Sequence, residues 1–396
     1  MSTTTTRDGL FYEYSRAADP IGSGAIPPVP YAEFPATLRE QGRTSPTPGE
    51  LLPMQPPVIR TFAHGTYAIE TGYIRPGLAA CHLIVRDGRG AVVDCGPNAS
   101  VPAVLAALEA LGVGREAIDY VILTHVHLDH AGGAGALLQA LPEAVAVLHP
   151  RGVPNLADPA KLEAGARAIY GDRAYDALYG PLVPIPAARL RGVEDDEVLP
   201  LGGSRLRALE TPGHALHHLA IYDETAQAVF SGDVFGISYR VFDNPAGAAF
   251  IFPTTAPTQF DPVQAHASIE RIRGLAPQAV YLTHFSRVTG IARLAEDLHR
   301  DLDRFVAIAE AQAAGPDAEQ RTYRALLDHL IERLAAHGTR IDAETRDTWL
   351  EMDVRLNAAG LLAWQRRLAR ARERAPESGG VPSPGMRPEA RGREAG

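Results

Sequence analysis

The segment Thr124-His125-Val126-His127-Leu128-Asp129-His130 constrains this chain more than any other stretch. It places four side chains able to bind a metal ion within six residues. It directly follows Asp119-Tyr120-Val121-Ile122-Leu123, a β-branched and aliphatic run that predicts a buried strand. The His and Asp side chains are therefore expected on the loop leaving the strand's C-terminal end, ahead of a helix that begins near Gly132-Gly133. His125 and His127, two apart on an extended loop, can reach one ion from the same side. Asp129 and His130 are turned differently and can serve a second.

Ligand-type residues recur downstream in the same context. His214 lies in Glu210-Thr211-Pro212-Gly213-His214, after the strand-like Leu206-Arg207-Ala208-Leu209. Asp233 closes Val229-Phe230-Ser231-Gly232-Asp233, and His284 closes Ala279-Val280-Tyr281-Leu282-Thr283-His284. Ligands gathered at strand ends by short loops are how an α/β scaffold builds a site. Solvated or capping His and Asp residues at a helix start would explain the first segment alone, not its recurrence. Seven nitrogen and oxygen ligands with no thiolate suit zinc, manganese or iron, and argue against a structural Cys-rich zinc site.

On these motifs the chain resembles the metallo-β-lactamase superfamily, in its dinuclear hydrolase branch, over roughly residues 58–287. The resemblance implies that His125, His127 and His214 hold one metal ion. It implies that Asp129, His130 and His284 hold another, with Asp233 bridging both. Asp94, in Ala91-Val92-Val93-Asp94-Cys95-Gly96, matches the family's structural Asp and would orient the His loop without touching metal. His218 matches a second His that often follows the Pro-Gly-His motif. His217 matches nothing in the family, and a packed or solvated His is expected there. The implied cofactor is two divalent ions, zinc first, with manganese or iron as alternatives. Two ions about 3.5–4 Å apart lower the pKa of a bridging water enough to make hydroxide at neutral pH. The cationic core suits an ester passing through an anionic intermediate and suits a phosphodiester equally. Asp129 and Asp233 are the candidate catalytic carboxylates.

Composition fits a globular enzyme. The 396 residues exceed one typical domain, and 45% hydrophobic content is ordinary. Cys81 and Cys95 are the only cysteines and imply no disulfide framework. No apolar signal region opens the chain and no run approaches a membrane span, so a cytoplasmic protein is expected. The net charge is −9, and Lys161 is the only lysine. The Arg and Ala bias suggests a bacterial source. No nucleic-acid partner is expected, because the one Arg cluster, Arg366 to Arg374, has the pattern of a solvated helix face. A small-molecule substrate is expected, no membrane, and a homo-oligomer stays open.

The chain divides into four parts. Residues 1–56 form a Pro/Thr-rich extended arm that wraps the core or a partner subunit, or is disordered. Residues 57–290 form the catalytic domain, opening with hairpins around His64-Gly65-Thr66 and Asp87-Gly88, followed by a helix over Val101–Leu111 and a strand over Glu143–His149. Residues 291–374 are helical by the spacing of Leu294, Leu298, Leu302, Phe305 and Ile308 and of Tyr323, Leu327, Leu330 and Leu334, with two further helical stretches carrying Trp349 and Trp364. Residues 375–396 form a disordered Pro/Gly/Arg tail. Two strand-rich halves with helices outside fit two sheets packed face to face. The resemblance makes this an α/β four-layer αββα sandwich with a helical C-terminal domain, as in glyoxalase II and the quinolone-signal-response thioesterase.

Two aromatic segments are candidates for the substrate pocket. Phe235, Tyr239, Phe242, Phe250, Phe252 and Phe260 follow Asp233, and Tyr170, Tyr175 and Tyr179 lie in a helical insertion before His214. Ordinary core is the competing reading for each. Phe235, Tyr239, Phe242 and Arg287 are the pocket candidates carried forward. Acyl-homoserine lactonases carry a Tyr shortly after the bridging Asp, and Tyr239 is the nearest here. The expected activity is hydrolysis, by metal-bound hydroxide, of an ester, thioester, lactone or phosphodiester in a small, partly apolar molecule. The alternative is an iron-dependent oxidoreductase resembling the sulfur dioxygenases, against which His127 weighs, since flavodiiron proteins place Glu there.

Overall fold

A computed structural model describes residues 56–255 and 259–374. The tail expected over 375–396 lies outside the described residues, and so does the expected arm except for Pro56. The first sheet joins β1 (Ile59–Phe62), β2 (Thr66–Glu70), β3 (Ala80–Arg86), β4 (Arg89–Val93), β5 (Ile118–Ile122), β6 (Val145–Leu148) and β7 (Leu190–Gly192) in chain order. β1 to β4 are antiparallel, and β4 to β7 are parallel. Asp87 and Gly88 both take positive φ, 45° and 77°, as a two-residue turn between twisted strands requires. The parallel strands need crossovers, and the helices Val101–Ala110 and Ala134–Ala140 supply two of them.

The second sheet is ordered β13 (Ser286–Val288), β12 (Ala279–Leu282), β11 (Ala228–Gly232), β10 (Leu219–Asp223), β9 (Ser204–Glu210) and β8 (Val198–Leu201). Only β11 and β12 run parallel, and the helix Pro262–Gly274 connects them. Strand alternation sorts side chains between layers. In β4, Ala91 and Val93 face the second sheet, whereas Val92 packs under the outer helices. In β11, Ala228 and Phe230 face the first sheet, whereas Val229 packs outward. Three apolar layers result: helix on sheet, sheet on sheet, sheet on helix. The fold is the αββα sandwich, with a helical C-terminal region comprising Ile291–Gln312, Ala318–His337 and Ala343–Arg374.

One expectation holds with an addition and one is corrected. The helix expected near Gly132-Gly133 is Ala134–Ala140 with Gly133 at its N-cap, but a separate helical turn, Leu128–Ala131, precedes it, with His130 and Ala131 N–H both donating to His127 O. Successive residues on a helix diverge by about 100°, so Asp129 and His130 face different directions. Trp349 and Trp364 lie on one helix, Ala343–Arg374, not two. Asn357 and Gly360 weaken its local propensity, but tertiary bonds hold it. Asn357 Oδ1 accepts from Thr255 N–H at 2.6 Å, and its Nδ2 donates to Pro253 O at 3.1 Å.

Candidate metal centre

Four strand ends converge at one edge of the sandwich. The turn after β5 brings His125, His127, Asp129 and His130; the loop after β9 brings His214; Asp233 directly follows β11; His284 lies two residues past β12. Gly232 takes φ +52°, and a Cβ there would lie 2.6 Å from Thr124 Oγ1 and 2.7 Å from His218 Nε2. The sequence therefore needs glycine just before Asp233 to let the strand end approach the His loop.

The nitrogen and oxygen atoms form two sets. His127 Nδ1 lies 2.8 Å from His125 Nε2 and 3.0 Å from His214 Nε2. His284 Nε2 lies 3.3 Å from Asp129 Oδ2, and His130 Nε2 lies 3.7 Å from the same oxygen. Asp233 stands between them: Oδ2 is 3.5 Å from His214 Nε2, and Oδ1 is 3.2 Å from His130 Nε2 and 3.7 Å from His284 Nε2. Ligand atoms of a tetrahedral zinc ion, each about 2.0–2.1 Å from it, stand roughly 3.3 Å apart. His130 Nε2 and Asp233 Oδ1 are fully buried without a hydrogen-bond partner. Each orphaned atom costs on the order of 1–3 kcal/mol unless a cation sits between them. The residues present thus fit bound metal.

Protonation follows the same division. Burial pushes His127 down to about 3 and His125 well below the ordinary imidazole value, so both are neutral with a lone pair to offer. Burial opposes charge on His130 and His284 too, but the Asp233 and Asp129 carboxylates outweigh it. They hold His130 well above the ordinary value and His284 up at about 9. Burial would raise Asp129, but His130 and His284 bring it down to about 2. The second set therefore demands positive charge.

Hydrogen bonds aim the rings. Asp94 Oδ2 accepts from His130 Nδ1 at 2.8 Å, which turns Nε2 into the site. Leu78 O accepts from His284 Nδ1 at 3.0 Å to the same effect. Asp94 also accepts from Thr124 N–H, Thr124 Oγ1–H and Thr283 Oγ1–H, so it ties the ends of β4, β5 and β12 together. His218 lies behind the carboxylate: its Nε2 accepts from Asp233 N–H at 3.2 Å, and Thr211 Oγ1 lies 2.9 Å from its Nδ1. His217 stacks 6.3 Å from His125, with its Nδ1 buried and unpartnered. Thr124, Thr283 and Leu78 O carry no sequence signal, because a hydroxyl or carbonyl partner becomes visible only when strand ends meet.

The pocket candidates need correction. Phe235 and Phe242 are fully buried in the core between the second sheet and the C-terminal helices, as are Phe250, Phe252 and Phe260. Arg287 is exposed, opposite Tyr281 in the pairing of β12 and β13. Tyr239 is fully buried and donates to Asp353 Oδ2 at 2.9 Å. Of the insertion tyrosines, Tyr170 and Tyr179 lie within the field of Asp129, whereas Tyr175 packs against Arg167. Tyr73 and Tyr179 share a hydrogen bond of 2.7 Å. Burial first and then the Asp129 carboxylate push the Tyr73 phenol well up and Tyr170 to about 12. No helix among the described residues is long and apolar enough to cross a membrane.

Residues 74–284 match the family model described as the metallo-beta-lactamase superfamily. A metallo-beta-lactamase fold-containing protein of Sulfurisphaera tokodaii is 29% identical over 224 residues, 56% of this chain and 78% of that protein. A hydroxyacylglutathione hydrolase of Acidiphilium cryptum is 28% identical over 59% of this chain and 73% of its own length. An atrochrysone carboxyl ACP thioesterase of Aspergillus fumigatus is 27% identical, with 50% of this chain covering 52% of that protein. Among solved structures, an archaeal superfamily protein from Sulfolobus tokodaii superposes with a TM-score of 0.53 at 22% identity, over 76% of this chain and 99% of that one. A metallo-beta-lactamase family protein from Thermus thermophilus gives 0.51 at 22% identity, over 81% and 95%. At these identities the structures speak for the fold alone.

Proposed function

The chain belongs to the metallo-beta-lactamase superfamily, and on that premise we propose that it is a dinuclear metal-dependent hydrolase. Its substrate is an ester, thioester, lactone or phosphodiester of a small, partly apolar molecule. The observation that carries this is Asp233, whose two oxygens turn to different ligand sets, Oδ2 toward His214 and Oδ1 toward His130 and His284. In this reading His125, His127 and His214 hold one ion, Asp129, His130 and His284 the other, and Asp233 both. Bound there, two zinc ions would supply Lewis acidity and an activated water; manganese or iron could fill the same ligands. The relatives named as a hydroxyacylglutathione hydrolase and an ACP thioesterase favour a carbonyl bond over a phosphodiester.

The chain's own residues do the rest. Neutral His125 and His127 offer lone pairs, and Asp94 fixes the His130 ring. Asp129, about a fifth exposed, is the carboxylate open to a bound molecule. No covalent nucleophile is needed. Cys95 is buried, its Sγ contacts His130 O at 3.3 Å, and burial pushes its thiol well above the ordinary value.

Elemental analysis of protein purified without added metal should find two ions per chain. A panel of aryl esters, thioesters, lactones and phosphodiesters should then reveal hydrolysis that chelation abolishes reversibly. One ion per chain, a trapped acyl-enzyme, or bound iron with oxygen consumption would overturn the reading.

A further inference from the structure

Two outer helices bring together four titratable side chains that lie outside the ligand set of the candidate centre. His266 and Glu270 stand four apart on Pro262–Gly274, and His299 and Asp303 stand four apart on Ile291–Gln312, so each pair shares one helix face. The two faces meet. His266 Nδ1 lies 2.6 Å from His299 Nδ1. The rings are 14° from parallel with centroids 4.9 Å apart, so they meet edge to edge. Each helix also holds the other's imidazole. Glu270 Oε1 lies 2.6 Å from His299 Nε2, and Asp303 Oδ1 lies 3.2 Å from His266 Nε2.

The protons available leave a gap between the two rings. A neutral imidazole carries one N–H and one lone pair, and an ionised carboxylate only accepts. With a carboxylate on each outer nitrogen, both N–H groups point outward. The inner nitrogens then face each other as lone pairs, which repel at this distance unless a cation lies between them. A carboxylate on the far nitrogen of each imidazole is also the arrangement that orients histidine ligands and raises their basicity at metal sites. Facing nitrogens of the candidate centre stand at similar distances, 2.8 Å and 3.0 Å. A bound ion would part His266 and His299 to roughly 3.3 Å between nitrogens. Their side chains are 30% and 24% exposed, so both have room to move and water can complete the coordination.

We propose that His266 and His299 bind one divalent transition-metal ion through their Nδ1 atoms, clamping the helix Pro262–Gly274 to the first helix of the C-terminal region. This inference is independent of the hydrolase reading. Two imidazole donors with water suit nickel, copper or zinc, whereas calcium and magnesium take oxygen ligands. The ion takes the two lone pairs, and any proton held between the nitrogens leaves to solvent. Two imidazoles hold an ion less tightly than the larger donor sets of the candidate centre, so protein purified without added metal comes without it. The clamp reaches the loop that carries His214. Asp261 N–H, at the start of the first helix, donates to Gly213 O at 2.8 Å, and Ser268 Oγ donates to Pro212 O at 2.5 Å. An ion at His266 therefore braces that loop against the C-terminal region.

The test uses full-length protein with zinc as the probe. Equilibrium dialysis against micromolar zinc should leave wild type with one ion more per chain than His266→Gln, His299→Gln or the double variant. Loss of the same single ion in all three shows that the two imidazoles share it. Glu270→Gln keeps both ligands and should weaken that ion about 10-fold or more. Copper added to zinc-loaded wild type should give an electron paramagnetic resonance spectrum split by two equivalent nitrogens, absent from both single variants. Equal zinc counts in wild type and the three His variants would overturn the site and leave a shared proton as the occupant of the gap. A double variant that loses two ions would overturn it as well, because the imidazoles would then serve separate ions. Catalysis enters none of these measurements, so they stand or fall apart from the hydrolase reading.

Discussion

Asp94 receives four donors: Thr124 N–H and Oγ1–H, His130 Nδ1–H and Thr283 Oγ1–H. It does so at φ +53°, a conformation that an L residue adopts only when its surroundings compel it. Asp94→Ala would leave those buried donors facing a void and free the His130 ring. Metal affinity should fall about 10–100-fold, measured by titrating zinc into chelator-treated protein; unchanged affinity would remove Asp94 from the site's support. Asp353 has the opposite signature. Its folded pKa, raised by burial to about 6 from 3.8, means its contribution to stability is fully present below 3.8 and lost as pH rises past 6. Asp353→Asn should therefore leave metal-free protein unchanged in stability at low pH. Above pH 6 it should stabilise by on the order of 2–3 kcal/mol, read from urea midpoints at several pH values. A variant destabilised at pH 8 would contradict the burial argument.

At the scale of elements, the helical turn Leu128–Ala131 explains why six residues can serve two ligand sets. The extended stretch before it points His125 and His127 one way, and the turn rotates Asp129 and His130 away. The insertion formed by Ala160–Tyr170 and Asp172–Leu178 is held differently. The first of these helices buries no residue, so tertiary contacts at its end decide its position. Asn98 Nδ2 donates to Tyr179 O at 3.1 Å and to Pro181 O at 2.7 Å, and Tyr73 holds the Tyr179 hydroxyl. Asn98→Ala should cost only about 1 kcal/mol globally yet speed proteolytic cleavage within 160–182. Faster cleavage elsewhere instead would show that Asn98 does not anchor this segment.

At the scale of the molecule, the two sheets are joined by apolar packing and by a buried ion pair away from the candidate centre. Arg86 at the end of β3 pairs with Asp223 at the end of β10, with side chains 8% and 0% exposed. Arg86→Ala would strand the Asp223 carboxylate between the sheets and should cost roughly 3–5 kcal/mol, measured by urea unfolding. Replacing both by apolar residues of similar volume should cost less than the single change, because no uncompensated charge remains. In the proposed reading metal acts at this scale as well: the candidate ligands come from four strand ends of both sheets, so metal binding would stabilise the folded chain alone and should raise Tm with metal concentration.

Strand ends, layer order and the His and Asp side chains that gather at one sandwich edge were legible in the sequence because each depends on local pattern. Short aliphatic runs ending in Asp94 and Asp233 mark β4 and β11, the run Ile118–Ile122 marks a strand, and His-x-His-x-Asp-His is dense enough to stand out unaided. Helical spacing likewise disclosed the C-terminal region. Tertiary structure decided whatever depends on groups distant in sequence. Whether an aromatic lines a pocket or fills a core is settled by what packs on its other side, and the C-terminal helices bury Phe235 and Phe242. Asn357 interrupts a helical pattern on paper but continues the helix, because Pro253 and the Thr255 backbone satisfy its amide. Asp353, in an ordinary stretch of that helix, gains its environment only where the helix meets Tyr239 and the end of β12. Local periodicity and residue type carry information over one or two turns of chain; burial, shared hydrogen bonds and electric field belong to neighbours that folding alone brings together.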